Sequence, residues 1–146
     1  MAGYSGTPLV KKIGIKEGYS VAWVDAPATL KTLIEPLPEK VRLTRKVVAD
    51  HDCVHWFTKS ADSLEIELPK LKKKIKDSGM IWVSWPKKSS GVRTDITEDM
   101  IRECARRNGL VDVKVCAVDD VWSGLKLVIP VKDRTSLTKK NKSPKL

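Results

Sequence analysis

No stretch of the sequence approaches the roughly 20 consecutive apolar residues that a bilayer-spanning helix needs, and its first residues lack a basic segment followed by an apolar run. Membrane insertion and secretion are therefore not expected, and a cytoplasmic location is. Cysteine is scarce: Cys53, Cys104 and Cys116 are odd in number, widely spaced, and each inside a predicted strand or helix. That excludes a disulfide framework and reads as three reduced core residues. Histidine is scarcer still. His51 and His55 fall on one face of a predicted strand with Cys53 between them, but at about 3.3 Å per residue their roots stand roughly 13 Å apart. They are too distant to close one tetrahedral metal site, and His55 reads instead as a strand residue with a satisfied hydrogen bond. No Gly-x-Ser-x-Gly elbow surrounds Ser84 or Ser123, so hydrolase chemistry has no support. The adjacent Asp119 and Asp120 lack the further oxygen ligands that calcium takes and are explained by turn chemistry. No metal is expected.

What the sequence does contain is a regular alternation of short strand-like runs and longer helical patterns, the mark of repeated βα units. Its 146 residues suffice for one domain with a substantial core. Residues 7–13 read as a short leading helix, 20–25 as a strand, and 28–34 as a helix closed by Pro36 and Pro38. A weaker strand over 41–48 carries Arg42, Arg45 and Lys46, a charge content suited to a sheet edge. A central strand over 53–57 leads into a helix over 61–76, with Leu64, Leu68, Leu71 and Ile75 on one stripe and Pro69 interrupting the pattern. The helix over 97–108 has every end signal: Thr97 as cap, Ile96 and Ile101 at the staple positions, Arg106 and Arg107 in the last turn, then Gly109. Residues 111–118 alternate, with Val113, Val115 and Ala117 on one face. The connector 119–124 is too short for a crossover helix, so the strand over 125–131 runs antiparallel to its neighbours.

Charge is uneven. Of a formal net +10, residues 132–146 carry +5, from Lys132, Arg134, Lys139, Lys140, Lys142 and Lys145 against Asp133. With Leu137 and Leu146 as its apolar residues, this segment cannot bury enough surface to order itself. The chain therefore reads as a single domain over residues 1–131 and a basic disordered tail over 132–146. The tail interleaves no aromatic residue for base stacking, so a solvated role is favoured and specific nucleic-acid binding is not expected.

Residues 80–83 form an apolar run without alternation that stops at Pro86, the pattern of a central parallel strand covered on both faces. Sheets of this kind take ligands beyond the carboxyl ends of their strands. The segment Lys87-Lys-Ser-Ser-Gly-Val-Arg-Thr-Asp95 lies there, supplying cations, hydroxyls and a helix start. Candidate ligand-binding residues are Asp25, at the end of the first strand, Trp85, whose ring is placed to line the crevice, and Lys87, Lys88, Ser89, Ser90, Arg93, Thr94 and Asp95. The plain alternative is a solvated loop in which Asp95 or Thr97 caps its own helix.

Parallel βα units closed by an antiparallel strand resemble the Rossmann-like fold of S-adenosylmethionine (SAM)-dependent methyltransferases. More closely, the segments 7–14, 80–87, 94–97, 109–115 and 122–126 resemble a family of small bacterial proteins catalogued only as a domain of unknown function, over roughly residues 7–131. The resemblance implies an α/β fold, a three-layer arrangement around a mostly parallel sheet of about six strands, and brings no activity with it. Methyltransferases use a Gly-rich turn after the first strand and an acidic residue at the end of the second to hold SAM. This chain has Val24-Asp-Ala-Pro-Ala-Thr29 and Arg42-Leu-Thr-Arg-Lys46 in those places. The missing glycines argue against SAM in its usual pose, and no cofactor is expected.

The preferred expectation is a cytoplasmic, non-methylating domain that binds a small anionic ligand or a protein partner. The alternatives are a divergent SAM-dependent methyltransferase or other transferase for an anionic substrate, and, more weakly, nucleic-acid association through the basic tail.

Overall fold

The computed structural model describes residues 7–134. Six strands form one sheet: β1 (Ser20–Val24), β2 (Arg42–Thr44), β3 (His51–Phe57), β4 (Ile75–Pro86), β5 (Val111–Ala117) and β6 (Trp122–Val128). Their spatial order is β2-β1-β3-β4-β6-β5. The first four are mutually parallel, and β6 runs antiparallel to both β4 and β5. The expected six-stranded, mostly parallel α/β sheet with an antiparallel C-terminal strand is therefore present, with β4 inside it and β2 at an edge.

Four helices cover the sheet: α1 (Leu9–Ile13), α2 (Leu30–Ile34), α3 (Ala61–Lys72) and α4 (Glu98–Arg107). β3 and β4 are apolar without alternation because both of their faces are covered. Leu64, Leu68 and Leu71 of α3 and Ile101 and Cys104 of α4 pack on one face, against Val54, Ile81, Val83, Leu125 and Leu127. Ile13 of α1 and Leu30 and Ile34 of α2 pack on the other, against Val21, Trp23, Cys53 and Trp82. Each such fully buried aliphatic contributes roughly 1.5–3 kcal/mol by leaving water. Both long helices are capped as their sequences require. Ser60 Oγ accepts from the Ser63 N–H at 3.2 Å, and Thr97 Oγ1 from the Met100 N–H at 3.2 Å.

Several boundaries differ from expectation. The helix predicted over 61–76 ends at Lys72 and contains Pro69 without a break; Ile75 is buried as the first residue of β4, opposite His51. Pro69 stands in the last turn, so its missing donor costs one intrahelical hydrogen bond, that to the Glu65 carbonyl, and the helix continues past it to Lys72. The residues 77–79 are part of β4, in an irregular segment where the step from His51 to Cys53 on β3 faces the longer step from Ile75 to Met80. Gly79 permits that approach, since a Cβ there would lie 2.8 Å from the His51 carbonyl oxygen. β6 starts at Trp122, three residues earlier than predicted.

β5 departs most from its pattern. Asp112 stands opposite Leu127 and Lys114 opposite Lys126, so Val113 is an extra residue in a bulge and the predicted common face of Val113, Val115 and Ala117 is broken. Val111, Val113 and Val115 are all partly open to solvent. Bulge and lysine together make this edge a poor template for another strand.

No described helix is long and apolar enough to cross a membrane. Of the segment expected as a tail, residues 135–146 lie outside the described residues. Residues 131–133 form a 3-10 turn, and Arg134 donates from Nε to the Ile129 carbonyl at 3.0 Å.

Candidate ligand cleft

β1 lies between β2 and β3, and the chain leaves β1 through α2 to β2 before crossing to β3 on the other side. The connections diverge at the carboxyl ends of β1 and β3, which is where a sheet of this kind opens its crevice. A cleft of about 480 Å³ is found there. Asp25 and Pro27 form one wall, Thr58, Lys59, Ser60 and Ser63 the other, and Trp122 contributes aromatic surface over the buried Phe57.

The turn after β1 adopts a left-handed residue without glycine. Asp25 has φ +55°, a conformation that a short polar side chain tolerates better than most. The turn thus keeps a conformation usually reserved for glycine while presenting a carboxylate in the cleft. At the end of β2, Arg45 places its guanidinium carbon 5.2 Å from the ring centroid of the buried Trp23. A cation therefore occupies the region where the methyltransferase resemblance implies a carboxylate.

The opposite wall is held by hydrogen bonds among the loops. The Thr58 N–H donates to the Ser84 carbonyl at 2.9 Å. Ser60 Oγ caps α3, and Asp95 Oδ1 accepts from the Ala61 N–H at 2.8 Å. The helix start is thus largely satisfied by the protein itself. Asp25 and Lys59 form no ion pair among the described residues, so they and the Ser63 hydroxyl are the polar groups the cleft offers a ligand.

Phe57 meets Trp122 edge to face, with centroids 5.1 Å apart, and stacks on His55 at 4.3 Å. His55 is fully buried, with Nε2 2.8 Å from Ser84 Oγ, as expected of a hydrogen-bonded strand residue. Its Nδ1 has no hydrogen-bond partner among the described residues. Burial lowers its pKa to about 3, so the ring is neutral near pH 7 and lies beneath the aromatic floor, where it supports the cleft without serving as a surface base. No group of three or more potential metal ligands gathers among the described residues.

The remaining candidates divide between two other places. Trp85, Lys87 and Lys88 border a cleft of about 560 Å³ over the end of β4, together with Thr97, Glu98 and Asp99. Trp85 is only 7% exposed and packs mainly into the core under α3 and α4. Glu98 and Asp99 oppose the two lysines, and Thr97 caps α4 itself, so this cleft is not a concentrated anion site. Ser89 and Ser90 lie in a 3-10 turn, where Ser90 Oγ donates to the Lys87 carbonyl at 2.6 Å and accepts from the Val92 N–H. Arg93, Thr94 and Asp95 line a groove with Lys59 and Ser60 that adjoins the Asp25 cleft through those two shared residues. Within it, Thr94 Oγ1 donates to the Lys59 carbonyl at 2.7 Å and Asp95 holds Ala61. Both serve to fasten the loop after β4 to the loop after β3.

Sequence reasoning passed over Thr58, Lys59, Ser60, Ser63 and Trp122. The signal was available: the rule that directs attention beyond the end of β4 applies equally to β3, whose strand runs into Thr-Lys-Ser and a helix start.

The fold is similar to that of several solved methyltransferases. A SAM-dependent methyltransferase from Aquifex aeolicus superposes with a TM-score of 0.60 at 14% identity, covering 83% of this chain and 88% of that one. Magnesium protoporphyrin IX methyltransferase from Synechocystis, with bound SAH, gives 0.57 at 12% identity, covering 83% and 78%. Fibrillarin from Aeropyrum pernix, with natively bound S-adenosyl-L-methionine, gives 0.54 at 14% identity, covering 86% and 70%. At such identities the likeness establishes the fold alone. No curated protein sequence matches the chain. Residues 20–131 match the family described as protein of unknown function (DUF3052), and the chain belongs to that family.

Proposed function

We propose that this domain binds a small molecule with an aromatic or heterocyclic ring and an anionic group in the cleft between Asp25 and Lys59, and that it does so without methyl transfer. The observation that carries the reading is the position of this cleft at the divergence of β1 and β3, with Trp122 contributing aromatic surface and Lys59 an ammonium group that forms no ion pair among the described residues. Its size falls in the range of about 300–1,000 Å³ usual for small-molecule sites. The aromatic surface suits a planar ring, and Lys59 with the Ser63 hydroxyl suits an anion.

Two features argue against methyl transfer from SAM in the familiar pose. Ala26-Pro-Ala28 brings side chains and a residue without an N–H to the turn where close backbone approach is needed. Arg45, 5.2 Å from the Trp23 ring centroid, then stands at the end of β2 where the resemblance implies an acidic residue, and a guanidinium cannot accept hydrogen bonds from a ribose. The second reading is a divergent SAM-dependent methyltransferase. It is favoured by the left-handed Asp25, which preserves the turn conformation, and by the SAM- or SAH-bound state of fold neighbours. Calorimetry with SAM and SAH separates the two. The preferred reading expects no saturable heat at micromolar concentrations, whereas a micromolar dissociation constant that Asp25→Ala abolishes establishes the second.

A further inference from the structure

The Asp25 cleft does not close at Lys59. A groove of about 490 Å³ continues from it between the loops that leave β3 and β4, with Lys59 and Ser60 at the junction and Arg93, Thr94 and Asp95 beyond them. Lys59 and Arg93 are far apart in the chain and share the groove because the two loops are tied together. Thr94 Oγ1 donates to the Lys59 carbonyl at 2.7 Å, the Asp95 N–H donates to the same carbonyl at 3.4 Å, and the Ala61 N–H donates to Asp95 Oδ1 at 2.8 Å. The backbone that carries both cations is thus set before any ligand arrives, which lowers the ordering cost of binding.

The polar groups of the groove have unequal commitments. Asp95 is engaged with the start of α3 and Ser60 Oγ accepts from the Ser63 N–H, so the helix start is largely satisfied by the protein itself. Lys59 and Arg93 form no ion pair among the described residues. Asp95 is the one carboxylate that lines the groove against these two cations, which leaves a positive surplus. On the far wall of the cleft stands Asp25, also without an ion pair among the described residues, and it repels an anion. A ligand with a ring and an anionic chain therefore has one favourable direction, the ring toward Trp122 and Asp25 and the chain past Lys59 toward Arg93. The planar guanidinium of Arg93 presents paired donors to a phosphoryl group, whereas the ammonium of Lys59 acts as a point charge.

We propose that the ring-bearing ligand is a diphosphate of the nucleoside diphosphate class, with its first phosphoryl group at Lys59 and Ser60 and its second at Arg93. This rests on the reading of the Asp25 cleft as the ring site. A single phosphoryl group engages Lys59 and leaves Arg93 without a partner; the second one reaches the groove.

Calorimetry of the full chain with adenosine 5′-monophosphate and adenosine 5′-diphosphate, in the absence of divalent cations, tests this. The diphosphate is expected to bind about tenfold more tightly than the monophosphate, the worth of one charge-assisted hydrogen bond. Arg93→Gln should remove that advantage and leave monophosphate binding unchanged, and Arg93→Lys should keep only part of it. Lys59→Ala should weaken both nucleotides. Without ligand, Arg93→Gln should unfold at the parent's temperature, and a lower midpoint would give Arg93 a structural role and overturn the proposal. The proposal fails while the ring site stands if the monophosphate binds and the diphosphate binds no more tightly, or if Arg93→Gln weakens both nucleotides equally. Loss of the diphosphate advantage in Lys87→Ala with Lys88→Ala places the second phosphoryl group over the end of β4 and overturns the proposal as well. If neither nucleotide binds, the ring site falls and the proposal with it.

Discussion

The carboxylate of Asp95 accepts a 2.8 Å hydrogen bond from the backbone N–H of Ala61, so the loop that follows β4 caps the helix that follows β3. Thr94 reinforces the link through the Lys59 carbonyl. Two residues that look from the sequence like parts of a ligand loop thus set the position of Lys59 and Ser60 in the neighbouring cleft. Asp95→Ala is expected to cost about 1 kcal/mol, the usual worth of a capping side chain, while Asp95→Asn retains most of it. Urea denaturation of the two variants checks this, and equal stability of parent and Asp95→Ala would show the link to be energetically idle.

His55 makes the fold sensitive to acid. In the folded chain its pKa is lowered to about 3 from an ordinary 6.5 because burial disfavours the charged ring. The unfolded chain therefore takes up the proton first as pH falls. Stability from this group is complete above about pH 6.5 and is lost progressively toward pH 3, by at most roughly 1.4 kcal/mol per pH unit. His51 shifts in the same direction, chiefly by burial, and adds to the slope. Unfolding measured between pH 7 and 4 should show the decline, and His55→Gln should make it shallower. An unchanged slope in the variant would assign the acid sensitivity elsewhere.

Gly124 faces the Ser84 hydroxyl that His55 bonds, and the ring of Trp82. A Cβ there would stand 3.0 Å from both Ser84 Oγ and Trp82 Cε3, neither of which is the free end of a long side chain. Gly124→Ala should therefore cost about 1–3 kcal/mol, as overpacking of a filled core does. Gly79→Ala should be worse, because its new atom would meet the His51 backbone oxygen at 2.8 Å. Thermal unfolding ranks the two; a Gly79→Ala protein as stable as the parent would contradict the close approach between β3 and β4.

The legible parts of this fold were those fixed by local pattern. The α4 segment stated its own ends, since Thr97, Ile96, Ile101 and Arg107 act within a few residues of one another. The apolar run at Met80 declared a strand covered on both faces, and the short connector 119–124 declared an antiparallel partner for the strand after it. What the pattern missed depends on contacts distant in sequence. Ile75 continues the stripe of α3 but is taken into the sheet by pairing with His51, and Val113 is expelled into a bulge by the pairing of Asp112 and Lys114 with β6. The Lys59 cleft was overlooked for a similar reason: its floor is made by Phe57 and Trp122, which lie far apart in the chain and meet only after the sheet has formed.

The central claim is that the cleft between Asp25 and Lys59 takes an anionic ring ligand, and Trp122 reports on it directly. The measurement is a titration followed by the indole ¹⁵N–¹H resonances of the five tryptophans, with Trp122 assigned through Trp122→Phe, using adenosine 5′-monophosphate, SAH and SAM in turn. Binding in this cleft predicts a saturable shift of the Trp122 signal with adenosine 5′-monophosphate, lost in Lys59→Ala, and little response to SAM. A Trp122 signal that stays fixed throughout, or one that responds to SAM while remaining insensitive to Lys59→Ala, would contradict it.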